Sequence, residues 1–145
     1  MAFHFSLESV LKYRKSVEQA EEAVLQQIAG RISAVQFEMR QVGERQTALR
    51  EQRDRDLGTG LPAVHLQGWA EQEADLRNIA SRLQELHRRL EIERQKQLEI
   101  FQKARRDREL LSRIREQRHQ TYRREEARKE QKSIDDLYLI QLFRK

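Results

Sequence analysis

Leu57-Gly58-Thr59-Gly60-Leu61-Pro62-Ala63-Val64-His65 holds the only proline of the chain and two of its five glycines. It separates two long stretches in which apolar residues recur at steps of 3 and 4, the spacing of a helix that buries one stripe. Gly58 suits the position just past a helix end, and Pro62 blocks continuation of the helix. A single short connection between two helices forces them to run antiparallel if they pair within one chain. The fold class expected is therefore all-α: two long helices in an antiparallel coiled-coil hairpin. Helix one covers about 6–56, the turn about 57–66 and helix two about 67–143, in one coiled-coil domain.

The stripe of helix one reads Leu7, Val10 (with Leu11), Arg14, Val17, Glu21, Val24 and Ile28, then Ile32, Val35, Met39, Val42, Gln46, Leu49 and Arg53. Ser6 is a suitable N-cap. The two consecutive steps of 4 around Ile28 form a stutter, which locally unwinds a supercoil. The stripe of helix two reads Trp69, Leu76, Ile79, Leu83, Leu86, Leu90, Arg94, Leu98, Phe101, Ala104, Arg108 and Leu111, with a second stutter around Arg94. With the turn centred near Leu61, residue i faces roughly residue 123 − i, so the two stutters oppose each other. Val24 then lies near Leu98, and Leu7 near Ile114 to Gln117. Beyond about Gln117, helix two overhangs without an internal partner. At 1.5 Å per residue the helices span roughly 75 and 110 Å.

Composition agrees. Charged and apolar residues each make up 37% of the 145 residues, and mean hydropathy is −0.94. That is too little apolar material for a broad core but enough for a narrow seam. The absence of cysteine excludes disulfides and thiolate metal sites. No run is long and apolar enough to span a membrane, and no secretory signal pattern opens the chain. The net charge of +5 is uneven: Gln102–Lys132 holds 12 Lys/Arg against 6 Asp/Glu.

Candidate chemistry is thin. His4, His65, His87 and His119 are scattered; only His4 and His119 approach under the antiparallel pairing. Gly58-Thr59-Gly60 lacks the frame of a phosphate loop and reads as a hairpin turn. No catalytic residue, metal site or cofactor is expected, and the chain is read as no enzyme. The tract Arg105-Arg106…Arg113…Arg115…Arg118…Arg123-Arg124…Arg128-Lys129 could grip nucleic acid or dock an acidic protein surface. Interleaved glutamates, and Tyr122 as its lone stacking residue, favour the acidic protein. The apolar termini point to partners: Phe3, Phe5 and Leu7 at one end, Leu137, Tyr138, Leu139, Ile140, Leu142 and Phe143 at the other. The alternative is that they curl back on their own hairpin. Trp69 is either a cap on the hairpin end or an anchor for a partner.

The string Phe3-His4-Phe5-Ser6-Leu7-Glu8-Ser9-Val10-Leu11-Lys12-Tyr13-Arg14 resembles the opening F-x-F-x-L-E-x-V-L-x-x-R of the FliJ family of flagellar type III export proteins. Lys132-Ser133-Ile134-Asp135-Asp136 is similar to the family's basic stretch ending in a short L/I-D-[DE] element. The resemblance implies a hairpin like the central stalk of rotary ATPases, in a non-enzymatic component of flagellar protein export that serves motility and chemotaxis. Its implied partners are the flagellar export ATPase, the export-gate membrane protein FlhA and the export chaperones. It implies a cytoplasmic protein, peripheral at the inner face of the membrane; the chain itself is expected to be a monomer. Carried over by position, ATPase-ring docking falls on Phe3, Phe5, Leu7, Leu11, Arg14, Leu137, Leu139 and Phe143. Export-gate contact falls on Val42, Leu49, Trp69, Leu76 and Ile79. A virulence-type secretion stalk is the nearest alternative; a basic coiled coil bound to nucleic acid or ribosomes is the alternative of another class.

Overall fold

The computed structural model describes residues 2–60 and 63–144. They form two helices, α1 (Glu8–Gly58) and α2 (Ala63–Phe143), and no strand among the described residues. Their interiors are rich in Glu, Gln, Arg, Leu and Ala, which lose little side-chain freedom in a helix. Glu8 places a carboxylate in the first turn of α1, where it complements the exposed N–H groups. Ser6 does not cap α1; its hydroxyl accepts a bond from Arg118 Nη1 at 3.1 Å. α1 runs through Gly58 rather than stopping before it. The left-handed residue that ends the helix is Gly60, with φ +77°. Thr59 secures the exit, its hydroxyl donating to the Asp56 carbonyl at 2.8 Å. The expected turn centre at Leu61 and the stop at Pro62 lie outside the described residues.

The contacts divide the chain into two compact units. One, here the turn unit, comprises Glu21–Ile100; the other, the terminal unit, comprises the described residues of 1–20 and 101–145. In each, a length of α1 packs antiparallel on a length of α2. The facing pairs Arg53–Glu73, Gln36–His87 and Glu21–Gln97 in the turn unit have residue numbers adding to between 118 and 126. Glu18–Arg108, Arg14–Asp107, Glu8–Arg115 and Ser6–Arg118 in the terminal unit fall in the same range, around the expected 123.

The core of the turn unit is Ile28, Ile32, Val35 and Val42 of α1 against Leu83 and Leu90 of α2, with Met39, Leu76 and Ala80 at its margin. Each buried aliphatic side chain contributes about 1.5–3 kcal/mol. The stripe differs from the expected one. Val24, Ile79 and Leu86 are exposed, and their places in the seam are taken by Leu25, Ala80 and His87. Gln97 is buried where Leu98 was expected. With these assignments the seam runs Leu25, Ile28, Ile32, Val35 on α1 and Leu83, His87, Leu90, Gln97 on α2, with the exposed Arg94 holding the register place between the last two, in unbroken alternation of 3 and 4. The two stutters do not exist. The first came from placing Val24 rather than Leu25 in the seam, the second from placing Leu86 and Leu98 rather than His87 and Gln97 there.

In the terminal unit the seam is Leu7, Leu11, Arg14 and Glu18 against Ala104, Arg108, Leu111 and Arg115, so half its positions are charged. Ion pairs satisfy them. Arg108 donates twice to Glu18, at 2.6 and 3.1 Å, and Arg115 donates to Glu8 at 3.1 Å. The overhang of α2 begins later than Gln117, because residues 3–6 ahead of α1 lie against residues 115–122. Every described residue after Glu126 is exposed.

Candidate partner-docking surfaces

The two apolar ends meet different fates. The ring of Phe3 stands edge-on to His119, with centroids 4.9 Å apart at 74°, and tilts against Tyr122 at 5.6 Å. The Arg115 guanidinium lies 5.8 Å from the Phe3 centroid, and that of Arg118 lies 5.5 Å from the Phe5 centroid. Cations over ring faces gain about 0.5–1 kcal/mol at exposed sites and more when shielded. Phe5 and Leu11 are only 4% and 2% exposed. They are therefore interior residues of the terminal unit and not free docking surface. Phe3 and Leu7 are half-buried, and Arg14 is held by Asp107 at 3.4 Å. The N-terminal apolar string thus curls onto its own hairpin.

The C-terminal residues do not. Leu137, Leu139 and Phe143 are 62%, 50% and 88% exposed, and Ile134, Tyr138, Ile140 and Leu142 are exposed to a similar degree. At 100° per residue these seven side chains are spread around the whole helix, no neighbouring pair separated by more than about 60°.

Of the hairpin-end set, Val42 is buried in the core, while Leu49, Leu76 and Trp69 are half-buried and Ile79 is exposed. The set does not form one surface: Val42 and Leu76 belong to the core cluster or its margin. Leu49 and Leu76 line a shallow groove with Arg45, Ala48, Gln52, Gln72 and Asp75. Ile79 borders a second groove beside Val42 and Leu83.

The basic tract is partly engaged. Arg105 pairs with Glu109 at 3.1 Å, Arg115 with Glu8 and Lys129 with Glu126. Tyr122, read as the stacking residue of a nucleic-acid site, is half-buried against Phe3. What sequence reasoning missed is the role of Arg115, Arg118 and His119, which hold the N-terminal aromatics. Applying the 123 − i pairing to Phe3 and Phe5 reaches 120 and 118 and would have found them.

Electrostatics separates the interior ion pair from surface pairs. Arg108's hydrogen bonds hold the Glu18 carboxyl below its ordinary 4.5, and Glu18 in turn raises the Arg108 guanidinium. Glu85 is lowered to about 2 by hydrogen bonds from Arg88 and then Arg89. That cluster is fully in solvent, where screening leaves such pairs little net effect. Among the described residues no group of three or more His, Asp or Glu side chains is placed to hold a metal, and no helix is long and apolar enough to cross a membrane.

The N-terminal pattern, the antiparallel pair of unequal helices and the basic terminal unit converge with one comparison. The model of the family described as flagellar FliJ protein matches residues 3–145. The chain belongs to that family. It is thereby a flagellar export-related protein. No curated protein and no solved structure matches it.

Proposed function

We propose that the chain is a non-enzymatic, coiled-coil stalk of the flagellar type III export apparatus. It engages the export ATPase ring and couples it to the export gate protein FlhA and to export chaperones, in the cytoplasm against the inner face of the membrane. One observation carries the reading beyond family membership: the seven exposed apolar side chains spread around the end of α2, Ile134–Phe143. A flat partner covers one side of such a helix, whereas a ring encloses it. Leu137, Leu139 and Phe143 make the contact; Phe5 and Leu11 act behind it, by holding the terminal unit together. Gate contact falls on Leu49, Trp69 and Ile79, the members of the hairpin-end set outside the core cluster.

The test is ATP hydrolysis by the cognate export ATPase with and without the chain. Stimulation is expected from the natural chain and is expected to vanish in the triple variant Leu137→Ala/Leu139→Ala/Phe143→Ala. Helicity should be unchanged, because these side chains are exposed. Full stimulation by a correctly folded triple variant would sink the docking model. Leu11→Ala is the wrong probe: its buried side chain costs roughly 2–5 kcal/mol of stability when truncated, so lost stimulation would report folding.

A further inference from the structure

We propose that the outer face of α2 in the terminal unit is a docking ridge for an acidic helical segment of a partner protein. The ridge is Lys103, Arg106, Leu110, Arg113, Arg124 and Arg128. At 100° per residue these six fall within an arc of about 80°, roughly opposite the seam residues Ala104, Arg108, Leu111 and Arg115. All six are exposed. None of the five cations takes part in any of the hydrogen bonds or salt bridges of the described residues.

The missing carboxylates are not an accident of counting. Every Asp and Glu between residues 103 and 132 lies outside the arc. Several are already in use: Asp107 with Arg14, Glu109 with Arg105, Glu126 with Lys129. Arg124 and Arg128 stand at i,i+4 and Lys103 and Arg106 at i,i+3, like-charge spacings that weaken an isolated helix. A long surface helix ordinarily intersperses signs, as α2 does at Glu85, Arg88 and Arg89. The wider field has the same sense. Residues 1–20 and 101–145 contain 17 Lys/Arg against 10 Asp/Glu, or +7; residues 21–100 contain 12 against 14, or −2. A cationic face of this kind draws and orients an anionic partner.

The pattern selects a protein helix over other anions. From Lys103 to Arg113 the ridge residues step by 3, 4 and 3, the register in which a second helix lies alongside. Leu110, 59% exposed among the cations, offers an apolar contact that a phosphate backbone does not use. No aromatic side chain stands on the ridge to stack on a base. A single leucine is too little apolar surface to seat the face in a bilayer.

The probe is a synthetic acidic peptide with glutamates at steps of 3 and 4 around one leucine, read by fluorescence anisotropy against the full chain. A scrambled peptide of equal composition, duplex DNA and phosphatidylserine vesicles serve as competitors. The patterned peptide should bind about tenfold more tightly than the scrambled one. The variant Arg106→Glu/Arg113→Glu/Arg124→Glu should weaken binding by at least about tenfold, and the corresponding Arg→Lys variant should stay within about twofold. Helicity of all variants is checked by circular dichroism. Equal binding of the scrambled peptide, stronger competition by DNA or vesicles, indifference to charge reversal, or no binding would each overturn the proposal. The residues are distinct from Leu137, Leu139 and Phe143, so either reading can fail alone.

Discussion

At the scale of single residues, Glu18 and Arg108 differ from the other ion pairs by where they sit. Their side chains are 16% and 25% exposed, and both hydrogen bonds of the fork are made. The shielded, bidentate geometry is the kind that contributes measurably, about 1 kcal/mol at the upper end of the range for surface pairs. Its pH signature has a definite sign. The folded-state value of Glu18 is depressed, first by the Arg108 hydrogen bond, so its stabilisation is present above the ordinary 4.5 and is lost as the pH falls through the folded value. Urea denaturation should therefore show stability falling below about pH 4.5, with part of the fall missing in Glu18→Gln. An identical acid limb in the variant would mean the pair contributes nothing. The pair was not legible in the sequence as such. Arg108 was read as a polar interruption of an apolar stripe, because periodicity registers residue type and not the partner across the seam.

At the scale of the helices, the seam carries a polar layer of the kind that sets register in coiled coils. Gln97 is buried and donates from Nε2 both to the Glu21 carbonyl, at 3.1 Å, and to its carboxylate. A buried polar side chain in a coiled coil costs stability and fixes alignment. Gln97→Leu should raise the urea midpoint while permitting slipped or intermolecular pairings, seen as added mass in sedimentation. A variant both more stable and still uniquely aligned would show that Gln97 is not the register pin. Existence, type, direction and approximate ends of both helices were legible, because heptad spacing over many turns and one Gly/Pro break leave few alternatives. The finer phase was not. At Ile79–Ala80 and Leu86–His87 the larger apolar residue points outward and the smaller or more polar neighbour faces the interhelical gap, whereas at Val24–Leu25 the larger residue faces it. Only the facing helix decides which of two adjacent side chains enters that gap.

At the scale of the whole molecule, the pairing rule of 123 − i follows from a connection so short that α1 and α2 can only fold back on each other. Intramolecular closure over such a link places the second helix at an effective concentration on the order of millimolar. Pairing within one chain therefore outcompetes pairing between chains at micromolar protein. The sequence contains no cysteine, so introduced thiols report without background. Gln36→Cys/His87→Cys probes the turn unit, where the two natural side chains approach to 3.4 Å. Ser6→Cys/Arg118→Cys probes the terminal unit, where they approach to 3.1 Å. A short bifunctional thiol cross-linker should join both pairs within single chains, at a yield that does not change with dilution. Cross-linked dimers whose yield climbs with concentration would place the partner helix in a second chain. The two sites can also part company: an intrachain product at 36/87 and none at 6/118 would mean that Phe3, Phe5 and their cations do not hold the N-terminal segment in solution. That outcome would return Phe3 and Phe5 to the surface available for partners.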